Sequence, residues 1–190
     1  MKKDRLIYYL GSSITRGHGG DTDGISFADL YAETYGGKYQ KEAVSGTNLV
    51  PVAGRDDSYV ERLRLLDFSK KPDLLVVQLS TNDFTNKISE GEILSALEYL
   101  FIHSDCPNIV VYTCPLAKSW HSYSQYEGFI DGALQKLLVK WKEKVRLLDL
   151  FHSDFALKDG YLQEDGLHPT RKGYALGFLP KMHALFEMIR

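Results

Sequence analysis

The chain has 190 residues, 44% of them hydrophobic and 25% charged, which is the composition of a globular protein with a substantial core. Its formal net charge of −2 at pH 7 provides neither a basic face for nucleic acid nor a polybasic patch for a membrane surface. No apolar run approaches the ~18 residues of a spanning helix. The apolar stretch after the charged N-terminus is too short for a signal peptide, so we expect a cytoplasmic protein with one domain over residues 1–190.

Apolar runs that predict strands alternate along the chain with amphipathic segments that predict helices. The predicted strands are Leu6–Leu10, Tyr39–Val44, Leu74–Leu79, Ile109–Thr113 and Val145–Leu150. The predicted helices are Phe27–Tyr35, Tyr59–Phe68, Glu90–His103, Tyr126–Lys142 and Lys172–Ile189. This alternation predicts a three-layer α/β/α sandwich built on a five-stranded parallel sheet.

Two cysteines, Cys106 and Cys114, flank the fourth predicted strand. A pair separated by the length of a strand does not easily form a disulfide, and no nearby pair of histidines completes a zinc site. We therefore expect neither a disulfide nor a metal. Cys114 directly follows the C-terminal end of that strand, where a cysteine nucleophile is conceivable, but such a residue more commonly packs as a small hydrophobe.

The first predicted strand breaks at Gly11 and is followed by Ser12 and Ser13. A turn of this kind exposes small hydroxyl groups at the C-terminal edge of a parallel sheet, where open α/β folds place their ligands. Three further segments converge on that edge: 45–48 after the second strand, 80–83 after the third, and 165–168 before the last helix. An alcohol needs a base within hydrogen-bond reach to act as a nucleophile, and the last segment contains both His168 and Asp165.

Four short blocks of the sequence resemble, in order, those of the SGNH hydrolases, the GDSL-type esterases and lipases. The blocks are Gly11-Ser12-Ser13-Ile14, Val44-Ser45-Gly46-Thr47, Ser80-Thr81-Asn82-Asp83 and Asp165-Gly166-Leu167-His168. The resemblance extends over nearly the whole chain. With the alternation of elements, it implies the flavodoxin-like strand order 2-1-3-4-5.

The resemblance also implies the catalytic groups. Ser13 would be the nucleophile, His168 its general base, and Asp165 the carboxylate that orients the imidazole. The backbone N–H groups of Ser13 and Gly46 and the side-chain amide of Asn82 would form the oxyanion hole. No metal or organic cofactor is implied, and the partner would be a small-molecule ester.

Two positions depart from the family pattern. Ser12 stands where the family usually has Asp, and Ser80 stands where it usually has Gly. Neither is a catalytic position in the family, so they bear on turn geometry, subfamily and substrate. Ser12 is the nearest competitor of Ser13 for the role of nucleophile, and we assign it a minor hydrogen-bonding role.

The loop after the fourth predicted strand contains Trp120, His121 and Tyr123. These side chains either wall a substrate pocket or cover the core, and the sequence leaves both interpretations open. His18, which follows the nucleophile turn, is a further candidate for the pocket, although a polar loop residue is the simpler interpretation. The sequence also leaves the oligomeric state open. An exposed apolar face on the last helix would indicate a homodimer, but the sequence alone does not show which side chains are exposed.

The expected activity is hydrolysis of a small acyl ester, acetyl or short-chain, through an acyl-enzyme on Ser13. Alternatives within the family are a carbohydrate O-acetylesterase, a lysophospholipase and a thioesterase. An alternative of another class is a non-catalytic flavodoxin-like ligand-binding domain, because residues 11–20 contain four glycines after the first strand. That segment lacks both standard phosphate-binding spacings, and this interpretation leaves Asn82 and His168 unexplained.

Overall fold

A computed structural model describes residues 5–19, 21, 22 and 24–189. Within it, five parallel strands form one sheet in the order β2-β1-β3-β4-β5, which confirms the predicted order. The strands are β1 (Leu6–Gly11), β2 (Lys38–Ala43), β3 (Leu74–Gln78), β4 (Ile109–Tyr112) and β5 (Val145–Leu148). Every residue of β3 and β4 is buried, as expected of central parallel strands covered on both faces.

Helices cover the two faces of this sheet. They are α1 (Ser13–Arg16), α2 (Phe27–Tyr35), α3 (Tyr59–Arg62), α4 (Asn82–Thr85), α5 (Glu90–His103), α6 (Tyr123–Phe129), α7 (Gln135–Lys140), α8 (Arg171–Gly173) and α9 (Leu179–Met188). One group packs α2 against α9, and another packs α5 against α3 and the segment that joins α6 to α7. No helix in the described part of the chain has the length and apolar character needed to cross a bilayer.

The bounds of α2 and α5 agree with the predicted helices. Each begins with a capping box, in which a serine and a carboxylate three residues later exchange hydrogen bonds with the backbone. The pairs are Ser26 with Asp29 and Ser89 with Glu92. These local signals can be read directly from the sequence, which explains the agreement.

The predicted helix Tyr59–Phe68 is wrong. The α-helix ends at Arg62, a 3-10 turn covers Leu63–Leu65, and a separate 3-10 turn covers Phe68–Lys70. Between them Leu66 is extended, and the side chain of Asp67 accepts the N–H of Ser69 to start the second turn. The apolar residues are spaced as in an α-helix, but the backbone of this segment is not a continuous α-helix.

The two long predicted helices near the C-terminus each contain a π-helical segment. Ile130–Leu134 joins α6 to α7, and Tyr174–Phe178 joins α8 to α9. A π segment adds a residue to the turn and rotates the side chains that follow, and such segments often occur at functional sites. The second one starts at Tyr174, whose hydroxyl donates to the carbonyl of Ile14 at 2.8 Å, next to Ser13.

The fifth strand ends at Leu148, two residues before its predicted end, because side chains take over its hydrogen bonds. Thr113 Oγ1 donates to Asp149 and accepts the N–H groups of Leu150 and Phe151. The carboxylate of Asp149 lies 2.7 Å from Nδ1 of His152. Nε2 of the same ring lies 3.3 Å from Asp131, in the π segment between α6 and α7. His152 therefore bridges two carboxylates from different parts of the chain.

We expect Gly177→Ala to destabilise the protein by about 1–3 kcal/mol. A Cβ at this position would lie 2.2 Å from a ring carbon of Phe155, which is buried and packed edge-on against Phe178. Gly128 in α6 is the matched control, because a Cβ there meets nothing within 4 Å. Gly128→Ala should be stabilising by up to about 1 kcal/mol through helix propensity. Urea denaturation of both variants tests the pair, and equal effects would contradict this account of the packing.

The His152 bridge should make stability depend on pH. The Asp149 hydrogen bond raises the pKa of His152 above its ordinary value of 6.5, despite the opposing effect of burial. Burial would raise the pKa of Asp149, but its hydrogen bonds from His152 and Thr113 lower it overall. A raised histidine pKa stabilises the fold below the unfolded value, and this stabilisation is lost as pH rises through the folded value.

We therefore expect the difference in melting temperature between wild type and His152→Gln to be larger at about pH 5 than at about pH 9. At about pH 5 the imidazole is charged and Asp149 is still ionised. Asp149→Asn should show the same pH dependence, because it removes the other member of the pair. A difference that is constant with pH would rule out the ionic contribution.

Candidate active site

Ser13 is the first residue of α1, separated from the end of β1 by Ser12 alone, and it is 7% exposed. The turn is so tight that it leaves no room for a side chain at position 11. A Cβ on Gly11 would lie 1.9 Å from Oγ1 of Thr15 and 2.9 Å from Oε1 of Gln78. Glycine at this position therefore lets the strand end directly beneath the serine.

Ser13, His168 and Asp165 lie in one chain of hydrogen bonds. Ser13 Oγ is 2.9 Å from His168 Nε2, and His168 Nδ1 is 2.6 Å from Asp165 Oδ2. The other carboxylate oxygen of Asp165 accepts the N–H groups of Leu167 and His168, both at 2.9 Å. Burial would raise the pKa of Asp165, but the hydrogen bonds from the His168 ring and these N–H groups lower it overall. The carboxylate is therefore ionised when it faces the imidazole.

The loop of Asp165 and His168 is closed by a glycine and attached to its neighbours. Gly166 has φ of +67°, and a Cβ there would lie 2.8 Å from that of Ala117. Its carbonyl accepts the N–H of Ala117, in the loop after β4. Gln163 joins the loop to the serine segment, because its amide donates to the carbonyls of His18 and Gly19.

Gly46 and Asn82 lie in neighbouring loops that hydrogen bonds join together. Gly46 has φ of +77°, a conformation that L side chains rarely adopt. Asn82 begins α4 after β3, and its Nδ2 donates to the carbonyl of Thr47 at 2.8 Å. A primary amide carries two protons, so this contact leaves one for a ligand.

Gln78, the last residue of β3, lies completely buried beneath the serine turn. Its Oε1 accepts from the N–H groups of Ser12 and Thr15, at 3.0 and 3.2 Å, and lies 3.0 Å from the hydroxyl of Tyr112 on β4. Its Nε2 donates to Ser12 Oγ at 3.0 Å. One carboxamide therefore joins the serine turn to the two central strands. Gln78 is not among the site residues predicted from the sequence, although a lone glutamine at the end of an apolar strand is a signal that the sequence contains.

A buried cation and a buried anion hold the loop that carries Gly46. Arg62 is 3% exposed and donates to the carbonyls of Gly11 and Glu42 and to Thr47 Oγ1. Burial lowers the pKa of its guanidinium. Asp83 is fully buried and accepts the N–H groups of Leu49 and Val50. Burial raises its pKa, and these N–H groups oppose the rise.

The alternative nucleophiles lie below the surface. Ser12 is fully buried and faces Gln78. Cys114 is fully buried, its Sγ lies 3.3 Å from the carbonyl of Leu79, and burial raises the pKa of its thiol to about 12. A thiol of that acidity carries negligible thiolate at neutral pH, so Cys114 is not poised to react. Both cysteines are free.

The residues of the loop after β4 divide between the core and the surface. Trp120 is 9% exposed and packs edge-on against Tyr126, so it covers the core. Tyr123 packs against the ring of Phe151. His121 is exposed, lies 3.2 Å from Thr85 Oγ1 at the end of α4, and lines a cavity of about 610 Å³ beside that helix. In the described part of the chain, no three His, Cys, Asp or Glu side chains are arranged to hold a metal ion.

A family model described as the GDSL-like lipase/acylhydrolase family matches residues 9–176 of this chain. Among solved structures, the chain is similar to TesA, with a TM-score of 0.74 and 18% identity over 98% of this chain and 100% of that chain. It is similar to the lipase/acylhydrolase from Enterococcus faecalis, with a TM-score of 0.74 and 18% identity over 94% of each chain.

A family two carbohydrate esterase from Clostridium thermocellum, in complex with cellohexaose, has a TM-score of 0.73 and 20% identity. That match covers 96% of this chain but 63% of the esterase, so this chain spans less than two thirds of its length. At these identities the solved structures show a common fold, and comparison with curated proteins gives no sequence match. The family match extends over most of the chain and contains all four blocks, together with the hydrogen-bonded residues Ser13, Asp165 and His168. The chain belongs to the GDSL-like lipase/acylhydrolase family and is a carboxylic ester hydrolase by class.

Proposed function

We propose that the protein hydrolyses a small acyl ester, acetyl or short-chain, through an acyl-enzyme on Ser13. The observation that carries the proposal is the continuous hydrogen-bonded chain from Ser13 Oγ through the His168 ring to Asp165. Such a chain provides a nucleophile, a base within reach of it, and a carboxylate that orients the base.

In the first half-reaction Ser13 Oγ attacks the ester carbonyl carbon while its proton passes to His168 Nε2. The tetrahedral intermediate collapses, the bond to the alcohol oxygen breaks, and His168 returns the proton to the leaving alcohol. In the second half-reaction water attacks the acyl-enzyme and gives its proton to His168. That proton then returns to Ser13 Oγ as the carboxylic acid leaves.

Asp165 supports both steps through its contact with Nδ1. A carboxylate at 2.6 Å keeps the proton of the neutral ring on Nδ1, which leaves Nε2 free to accept from Ser13. The ionised carboxylate then stabilises the imidazolium that forms after proton transfer. The two backbone N–H groups that Asp165 accepts hold its carboxylate in this orientation.

Negative charge develops on the carbonyl oxygen, and we assign its stabilisation to the N–H groups of Ser13 and Gly46 and the amide of Asn82. Asn82 already donates to the carbonyl of Thr47, so its amide is oriented before substrate binds. Preorganised donors of this kind act without reorganisation during the reaction. Arg62 and Asp83, which hold the same loop from below, would keep the Gly46 backbone in place.

Ser13→Ala should reduce hydrolysis of p-nitrophenyl acetate by at least about 10³-fold, because Ser13 Oγ is the one hydroxyl or thiol that the described residues place against His168. Steady-state assays with acetate, butyrate and octanoate esters measure this loss and also the acyl length that the enzyme prefers. Cys114→Ala is the control, and it should retain activity. Activity that survives Ser13→Ala would move the nucleophile elsewhere, and octanoate as the preferred ester would contradict a small acyl group.

Asn82→Ala should lower kcat by about 10²–10³-fold with little change in KM, as expected when a donor to the transition state is removed. Asn86→Ala is a matched control, because Asn86 follows the same helix and its amide donates to Asn48 Oδ1 rather than toward Ser13. Comparable kcat losses in the two variants would mean that Asn82 acts only by holding its loop.

A further inference from the structure

His18 lies beside the His168 ring, and nothing in the proposed mechanism uses it. The two ring centroids are 5.1 Å apart, with planes inclined at 60°. His18 is exposed, so its ring lies at the surface of the site rather than in the core. Within the described residues, its ring nitrogens make no hydrogen bond, which leaves a donor and an acceptor available to a ligand.

The backbone holds His18 firmly in this position. Its N–H donates to the carbonyl of Ser13 at 3.0 Å, and its carbonyl accepts from Gln163 Nε2 at 3.2 Å. The preceding residue, Gly17, has φ of +85°, and a Cβ there would lie 2.5 Å from the carbonyl of Ile25. Position 17 is therefore restricted to glycine, and the backbone of His18 is held next to the serine turn.

The position of the ring relative to the reacting atoms decides which part of a substrate it can contact. His168 must reach the leaving oxygen to protonate it, so the alcohol part of an ester lies on the side of His168. The proposed oxyanion donors, Gly46 and Asn82, follow different strands and receive the carbonyl oxygen. His18, against the His168 ring and open to solvent, is thus beside the path of the alcohol.

We propose that His18 is a specificity residue that contacts the alcohol moiety of the ester and favours alcohols bearing a further hydrogen-bonding group. The inference rests on the proposed function, because it presumes that His168 protonates a leaving alcohol. An imidazole both donates and accepts, which suits a hydroxyl on the carbon chain next to the ester oxygen. The contact adds to binding and acylation, and it is gone once the alcohol has left.

The test compares two acetate esters of nearly equal shape, 2-hydroxyethyl acetate and n-propyl acetate. Both give the same acetyl-enzyme, so they differ only in steps that involve the alcohol. His18→Ala should lower kcat/KM for the hydroxylated ester about 5- to 20-fold more than for the propyl ester. His18→Phe, which keeps a ring against His168 but cannot hydrogen bond, should show the same selective loss. His18→Gln, which donates and accepts, should restore part of the preference.

Other outcomes overturn the inference in distinguishable ways. Equal losses on both esters would make His18 a residue that only positions His168, and His18→Phe would then be close to wild type. Unchanged kinetics in all three variants would show that His18 contacts no part of the substrate. His103→Phe, at the exposed end of α5, is the matched control and should leave both rates unchanged. If wild type hydrolyses neither these esters nor p-nitrophenyl acetate, the proposed function fails first and this inference with it.

Discussion

The position of Ser13 depends on one buried carboxamide. Gln78 ends a strand whose other four residues are all apolar. Its side chain accepts hydrogen bonds from the turn after β1 and from Tyr112 on β4. A buried amide without partners costs about 1–3 kcal/mol, so its satisfaction requires the turn to take one conformation. Through the same contacts the hydroxyl of Ser12 faces Gln78, and Ser13 is the serine that lies within hydrogen-bond distance of His168. The contacts that join the serine turn to β3 and β4 are therefore also the contacts that position Ser13.

Near Gln78, the buried charges of Arg62 and Asp83 bind backbone groups rather than each other. Arg62 donates to carbonyls at the ends of β1 and β2, and Asp83 accepts N–H groups of the loop after β2. Burial works against both ionised forms, lowering the pKa of the arginine and raising that of the aspartate. Each charge is tolerated because backbone dipoles replace its water. This arrangement holds the loop of Gly46, because Arg62 donates to Thr47 and Asp83 accepts the N–H groups of Leu49 and Val50.

The sequence was sufficient for features that depend on local or repeated signals. Strand order follows from strict β-α alternation together with the family blocks, and α2 and α5 begin at capping boxes. Ser13, Asp165 and His168 could be placed in one site, and they lie within hydrogen-bond distance. What could not be predicted depends on contacts distant in sequence. Helix α3 stops at Arg62, whose side chain is committed to Gly11, 51 residues away. The π segment at Tyr174 reaches Ile14 from 160 residues away.

The chain contains two Asp-x-x-His pairs with nearly the same local geometry. In both, one carboxylate oxygen lies 2.6–2.7 Å from Nδ1 of the histidine and the other accepts the histidine N–H. They differ in what faces Nε2, which is Ser13 Oγ for His168 and a carboxylate of Asp131 for His152. A neutral hydroxyl leaves Nε2 free to accept a proton, whereas the two carboxylates raise the pKa of His152 and favour the imidazolium, which has no free nitrogen to accept a proton. The motif thus orients a ring in both places, and the residue supplied by the rest of the fold determines whether that ring can act as a base.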